Sequence, residues 1–359
     1  RIAYVLERDI SRDDGVVKKV AAQVGCWQGM GHETGIFALS AGEGVAAELE
    51  RYSVDVEPWQ RWRDWWARFP RLVDRVLQWQ PEIVYFRFSS CFPAVKRLMR
   101  AVPTVLEINT DDVAEYRTTM TRKAYAYHLV SRGRLFRLAH GLVTMTSELA
   151  ELYQSHNKPV VVVPNGIDLS SVSLVPAPEN QQPRLIFLGE GDKPWHGVDK
   201  ILRLAEMFPD WHFDVIGMAM PNCNRPNVVV TDFKNASDYG SLLAAADVGV
   251  GTLALHRKAM EEAAPIKVRE YLAAGLPAMI AYRDPDFLQP VPFLLRLPNT
   301  VANIETNRDH IRAFMMRAKG MRVPRESIRH LDYSEKEQAR VDFFERVLAA
   351  SRTTGSTRG

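Results

Sequence analysis

Cysteine is nearly missing from this chain. Cys26, Cys91 and Cys223 are the only three, far apart and without a Cys-x-x-Cys pair. That excludes a disulfide framework and predicts a reduced, cytoplasmic protein. Long apolar runs are missing too, since none reaches the roughly 18 residues of a membrane span. No secretory segment precedes the apolar run Ile2-Ala3-Tyr4-Val5-Leu6. Charge of one sign is scarce: 46 Lys and Arg stand against 43 Asp and Glu, a formal net charge of +3. Nothing global therefore points to nucleic acid. The spacing Gly-x-Gly-x-x-Gly is not met by Gly25, Gly29 and Gly31, nor by Gly189 and Gly191, which argues against a nicotinamide oxidoreductase. There is no short repeat and no low-complexity block.

What is present suits a globular α/β protein. The 359 residues are 46% hydrophobic and 25% charged, enough for two domains with full cores. Short β-branched runs alternate with longer amphipathic stretches, the pattern of βαβ units and parallel sheets. In the first half the strands are predicted at Ile2–Leu6, Thr34–Leu39, Ile83–Phe86, Thr104–Ile108, Leu142–Met145 and Val160–Val163. Helices are predicted at Val16–Met30, Cys91–Arg100 and Ser147–Tyr153. Residues 169–184 then turn rich in Ser, Pro, Asn and Gln and lose all periodicity, as a linker would. After them come strands Leu185–Leu188, His212–Ile216, Val228–Thr231, Val248–Gly251 and Ala278–Ala281, with helices Val198–Met207, Tyr239–Ala246 and Pro265–Ala274. The division predicted is a domain over 1–172, a linker over 173–184 and a second domain over 185–332. Residues 333–359 form a last helix, one reading of which returns it to the first domain, with a polar tail that frays.

The densest chemical signal runs from Glu261 to Pro277. Pro265 suits a first helical turn, and Gly275 with Pro277 beyond it stops the helix. The N–H groups at its start, around Ala263, Ala264, Pro265 and Ile266, are an anion site with positive dipole charge behind them. Lys267 in that first turn is electrostatically misplaced unless an anion sits there. Glu262 precedes the helix and Glu270 lies on its second turn. Carboxylates accept from paired sugar hydroxyls. Read alone, two glutamates beside a helix are also ordinary solvated charges.

The frame Glu262, seven residues, Glu270, set within Pro-x-Lys-x-x-Glu-Tyr-x-Ala-x-Gly-x-Pro, resembles the donor motif of glycosyltransferase family 4. Other segments resemble that family in the same order. They are Asp14-Gly15-Val16-Val17, Gly31-His32-Glu33-Thr34, Val163-Pro164-Asn165-Gly166-Ile167-Asp168, Trp195-His196-Gly197-Val198-Asp199 and Ala244 to Val250. His32 reads first as a turn-packing histidine, and the Pro-Asn-Gly-Ile-Asp segment as the turn into the linker rather than as chemistry.

The resemblance implies the GT-B architecture, two doubly wound Rossmann-like parallel-sheet domains facing a central cleft. It implies a retaining hexosyltransferase that uses a nucleotide-sugar without a metal or other cofactor. Glu262 then positions the sugar and Glu270 holds the ribose hydroxyls. Lys193 and Lys267 face the leaving diphosphate. Gly15, Val16 and His196 line the donor, with base contacts near Asp232 and Phe233. Asn109 and Asp111 lie on the acceptor side. The chain departs from the family at Glu190, where an Arg is expected, at His196, where a Lys is expected, and at Asn109, where many members have a His. Lys193 stands close enough in sequence to replace the lost charge.

Two clusters stay open. Asp284-Pro285-Asp286 is an Asp-x-Asp triplet, read as a turn rather than a metal site. The segment 58–71 interleaves Trp59, Trp62, Trp65 and Trp66 with arginines. It reads as a helix packed on the sheet, as a peripheral membrane contact, or as a platform on which Trp62 stacks against an acceptor sugar. A glycan or a lipid-linked acceptor fits either of the last two readings. A nucleotide-sugar epimerase and a donor-binding scaffold are the alternatives in function.

Overall fold

Strands of β-branched and aromatic residues, buried on both faces, build two separate parallel sheets. The computed structural model describes residues 1–359 apart from 13, 43, 61, 91, 190–192, 221–222, 233–235 and 357–359. The chain divides into two units, Arg1–Val163 with Tyr333–Gly359, and Pro164–Asp332.

In the first unit the strands are β1 (Ile2–Glu7), β2 (Thr34–Ser40), β3 (Val54–Pro58), β4 (Ile83–Arg87), β5 (Thr104–Ile108), β6 (Gly141–Thr144) and β7 (Val160–Val162). Their order is β3-β2-β1-β4-β5-β6-β7. The helices are α1 (Gly15–Gly29), α2 (Trp62–Gln78), α3 (Pro93–Ala101), α4 (Asp112–Thr119), α5 (Arg122–Leu138) and α6 (Ser147–Tyr153). Strand order reverses at β1, which makes the carboxyl ends of β1 and β4 the switch point where such sheets take ligands.

The second unit holds β8 (Arg184–Leu188), β9 (His212–Ile216), β10 (Val228–Thr231), β11 (Val248–Val250), β12 (Ala278–Ile280) and β13 (Leu294–Arg296). Their order is β10-β9-β8-β11-β12-β13, with the reversal at β8. Its helices are α7 (Val198–Met207), α8 (Ala236–Ala245), α9 (Ile266–Ala273) and α10 (Arg308–Ala318).

The last helix, α11 (Tyr333–Ser356), belongs to the first unit. Its Phe343, Phe344 and Val347 are buried in that unit's core. Trp27 stands at the centre of that core, with Tyr4, Tyr85 and Phe344 at ring-centroid distances of 5.9, 5.6 and 5.6 Å. The Trp27 indole N–H donates to Glu337 of α11 at 2.8 Å, and Arg340 pairs with the same carboxylate.

The predicted linker is corrected. The chain leaves the first unit at Val163, not near residue 172, and residues 164–184 belong to the second unit. Val175 N–H donates to Ala274 O at 3.0 Å, and Arg322 donates to the carbonyls of Val175 and Pro176 at 3.1 and 2.8 Å. The Asn180 amide reaches Ala245 O and Asp247 at 2.8 and 2.9 Å. This segment has no periodicity because its backbone is held by outside side chains rather than by a ladder of its own.

Candidate active site

The site is built around the start of α9. Pro265 is the N-cap, one residue before the helix rather than inside its first turn, and no side chain caps the helix. Pro265 has no side-chain acceptor of its own for the first-turn N–H groups, and the positive end of the helix dipole lies there. Lys267 rises from that turn, and its Nζ lies 4.2 Å from the centroid of the Phe187 ring. A Cβ on Gly189 would come within 2.9 Å of that ammonium. The glycine thus leaves room for a cation at the carboxyl end of β8. On the same Phe187 ring sits His196, 5.7 Å away and at 69°.

His196 ends a single helical turn, Pro194–His196, whose N-cap is Lys193. Gly197 follows with φ of +73°, and a Cβ there would meet Leu253 and Ala254 at 3.1 and 3.2 Å. Only glycine fits, because both the left-handed backbone and the space demand it. Leu253 N–H donates to His196 O at 3.2 Å and Ala254 N–H to Trp195 O at 3.1 Å, fastening this turn to the loop after β11. The Trp195 ring carries Lys193 Nζ at 5.9 Å and Lys258 Nζ at 5.0 Å.

Glu262 is buried, and its backbone forms a parallel bridge with Arg283. Ala263 N–H donates to Arg283 O at 3.1 Å, and the Arg283 guanidinium stands 3.5 Å from the Glu262 carboxylate. The next carbonyl, Ala264 O, accepts from the Asn165 amide at 2.9 Å. Asn165 O in turn accepts from Arg269 Nε at 3.1 Å. Arg269 is fully buried and forks onto Asp284 at 2.5 and 2.8 Å and onto Asp286 at 2.7 Å. Burial works against its charge, but these two carboxylates outweigh that and raise its pKa. The Asp-x-Asp triplet is thus the counterion of a buried arginine. Among the described residues no cluster of three or more His, Cys, Asp or Glu is placed to hold a metal.

Tyr271 locks α9 to the sheet. Its OH accepts from Leu188 N–H at 2.7 Å and donates to Val250 O at 3.2 Å. Its ring fills the space beside Gly249, where a Cβ would clash at 2.3 Å. Glu270, on the preceding position, is half-buried.

In the first unit, Gly15 and Val16 open α1, but Asp14 caps it, accepting from Val16 and Val17 N–H at 2.8 and 2.9 Å. The Val16 N–H is therefore engaged by the cap of its own helix. Asn109 Oδ1 accepts from Lys19 Nζ at 3.0 Å. Lys19 also pairs with Glu107 at 2.7 Å, and Glu107 takes Arg87 at 3.1 Å and the Tyr4 OH at 3.0 Å. Burial opposes the ionisation of Glu107, but Lys19 and Arg87 outweigh it and hold the carboxyl well below the usual range. Asp111 is the N-cap of α4, accepting from Val113 and Ala114 N–H at 2.9 and 3.1 Å. Asp112 behind it is buried among Arg132, His128 and Tyr153. At the end of β1, burial pushes the Glu7 carboxyl up to about 8.

Residues 14–171 match the model of Glycosyltransferase Family 4. The match covers the first part of the chain, which resembles that family there. A comparison with curated proteins finds no match. Among solved structures the chain resembles the lipopolysaccharide outer core galactosyltransferase WaaB in its apo form, with a TM-score of 0.69 at 10% identity over 98% of this chain and 100% of the other. It also resembles Anabaena HepE in complex with UDP-glucose, with a TM-score of 0.62 at 14% identity over 96% and 99%. A third is WaaG, a glycosyltransferase involved in lipopolysaccharide biosynthesis, with a TM-score of 0.63 at 14% identity over 95% of each chain. At these identities the likeness speaks for the fold, the two parallel-sheet domains of GT-B glycosyltransferases.

The second unit brings Lys267 and His196 onto Phe187 near the end of β8, with Lys193 opening the turn that carries His196. Glu262, Ala263, Ala264, Pro265 and Ile266 lead into the same helix start, and Glu270 lies one turn further. Asp232 stands exposed just after β10. Glu190, Phe233 and the side chain of Trp62 lie outside the described residues. Gly15, Val16, Asn109 and Asp111 belong to the first unit. Asn165, Arg269 and Arg283 were not predicted as site residues. The sequence does hold a trace of them, because Asp284 and Asp286 need a cation and Arg269 sits inside the motif itself.

Proposed function

We propose that the chain transfers a hexose-type sugar from a nucleotide-sugar to a glycan, lipid-linked or small-molecule acceptor, with retention and without a metal. The observation that carries this reading is Lys267 at the start of α9, placed at the carboxyl end of β8, with the buried Glu262 in the loop leading into the same helix. Solved relatives of the same fold hold UDP-glucose and UDP.

In the step proposed, the bond from the anomeric carbon to the diphosphate oxygen breaks and the acceptor oxygen bonds to the same face of that carbon. The acceptor's proton passes to the leaving phosphate oxygen. Negative charge grows on the diphosphate, and preorganised donors aimed at such charge are usually the largest catalytic contribution. The N–H groups opening α9, with Lys267, Lys193 and His196, supply them. Glu262 orients the sugar and Glu270 takes the ribose hydroxyls.

The test is a thermal-shift screen in EDTA against UDP, GDP, ADP, CMP and dTDP, free and as sugar conjugates. A ligand at 100 times its dissociation constant adds about 2.7 kcal/mol of stability. One nucleotide class is expected to shift the melting point, and Glu270→Ala to abolish the shift. No shift with any nucleotide at millimolar concentration would overturn the reading.

A further inference from the structure

A membrane contact was one of three readings of residues 58–71, and the structure turns most of that segment inward. Phe69 is buried, and Trp65 packs edge-on against Phe92 at a centroid distance of 3.8 Å. Arg68 turns to Glu57 of β3 at 3.1 Å. Trp66 alone of the described tryptophans there faces out, 47% exposed.

Its neighbour is Tyr127 of α5, with ring centroids 6.2 Å apart. Helix α5 carries Arg122, Lys123, Arg132, Arg134 and Arg137 and no acidic residue. Its inner face buries His128, Ser131, Leu135 and Phe136. Arg132 is taken up by Asp112. The outer face presents Tyr127 and Val130, which are 41% and 77% exposed, with Leu129, 44% exposed, to one side. Lys123, Tyr127, Val130, Arg134 and Arg137 follow one another in steps of four and three and form a single stripe, apolar in the middle and cationic at both ends. Of the first unit's exposed large apolar side chains, Trp66, Tyr127 and Val130 lie on this face, while Leu129 lies to one side of it and Leu152 elsewhere, among the described residues.

Helix α3, packed against α5, adds Lys96, Arg97 and Arg100 around an open depression of about 440 Å³. Arg97 is answered by Asp74. A flat face with a small apolar centre, basic ends and no carboxylate on its own helix has the chemistry of an interfacial helix.

We propose that this face docks on an anionic lipid bilayer. Helix α5 lies in the headgroup plane, with Trp66, Tyr127 and Val130 entering the acyl boundary. Arg122, Lys123, Arg134 and Arg137 sit on lipid phosphates. The charge of the face selects this occupant. Basic residues near a negatively charged leaflet each strengthen binding roughly fivefold, and apolar side chains supply the remainder.

The experiment is co-sedimentation of the full chain with vesicles of phosphatidylcholine and phosphatidylglycerol, and with phosphatidylcholine alone. Binding is expected to the anionic vesicles only, weakening as salt screens the charges. Lys123→Glu with Arg134→Glu is expected to weaken it at least roughly 25-fold, about fivefold for each cation lost. Val130→Asp is expected to weaken it as well. Both changes are on exposed positions, so the melting point should stay that of the wild type. Leu288→Ser, on an exposed residue of the second unit, should bind as the wild type does. Equal binding to neutral vesicles, no binding at low salt, or undiminished binding by the double variant would each overturn the proposal.

Discussion

Ala264 contributes little but a carbonyl, yet that carbonyl fixes the loop bearing Glu262. Asn165 holds it from a position 99 residues earlier in the chain. Asn165→Ala removes a buried hydrogen bond and leaves the carbonyl without that donor, a loss of about 1–2 kcal/mol. Because the loop it steadies leads into α9, nucleotide affinity is expected to fall roughly 5- to 30-fold in calorimetric titration, with the same nucleotide preference. Unchanged affinity would mean that the loop holds its shape without Asn165. The spacing of Glu262 and Glu270 was legible because both lie on one short segment. Asn165 and Arg269 were not, since what they do is decided by contacts across the fold. The Pro-Asn-Gly-Ile-Asp segment reads in sequence as a mere turn, and only its position against Ala264 gives it a part in the site.

At the scale of elements, the site depends on α9 being seated against β8 and β11. The Tyr271 hydroxyl bridges the two strands at the point where both end. Tyr271→Phe leaves Leu188 N–H and Val250 O without it, and the expected loss is about 1–3 kcal/mol in urea unfolding. A variant as stable as the wild type would show that other contacts seat the helix. Most strands were legible, since parallel strands buried on both faces are runs of β-branched residues. Strand β3 was missed because Asp55 and Glu57 interrupt its pattern. Both face arginines of α2, Asp55 with Arg75 at 2.8 Å and Glu57 with Arg68 and Arg75 at 3.1 and 2.7 Å. Helix α5 was missed because Leu129 and Val130, outside its buried face, blur the inward apolar stripe. Of the two, Val130 is the one that also suits it to a lipid surface.

At the scale of the molecule, the Glu7 carboxyl ties stability to pH. Burial raises its pKa from an ordinary 4.5 to about 8. The folded state therefore binds a proton that the unfolded chain has released. The stabilisation is whole below about pH 4.5 and is lost as pH rises through about 8, at up to about 1.4 kcal/mol per pH unit. Glu7→Gln is expected to flatten this fall, so that the variant gains on the wild type between about pH 5 and about pH 8 in urea titrations. Parallel curves would show that Glu7 does not titrate in that window.

The two sheets were foreseen as separate bodies and the return of the last helix to the first was one reading, but the exit at Val163 was not foreseen. It leaves the first unit at Val163 and re-enters it at Tyr333. On the ribosome this sets an order of events. Helix α11 supplies Glu337 for the Trp27 indole and Phe343, Phe344 and Val347 for the core, and all of them are translated after the second unit. At synthesis rates of about 5–20 residues per second, the first unit waits on the order of 10–30 seconds with that core open while the second is made. The nascent chain thus completes its later half before its earlier one. A chaperone that shields apolar surface during translation would find its longest-lived target around Trp27.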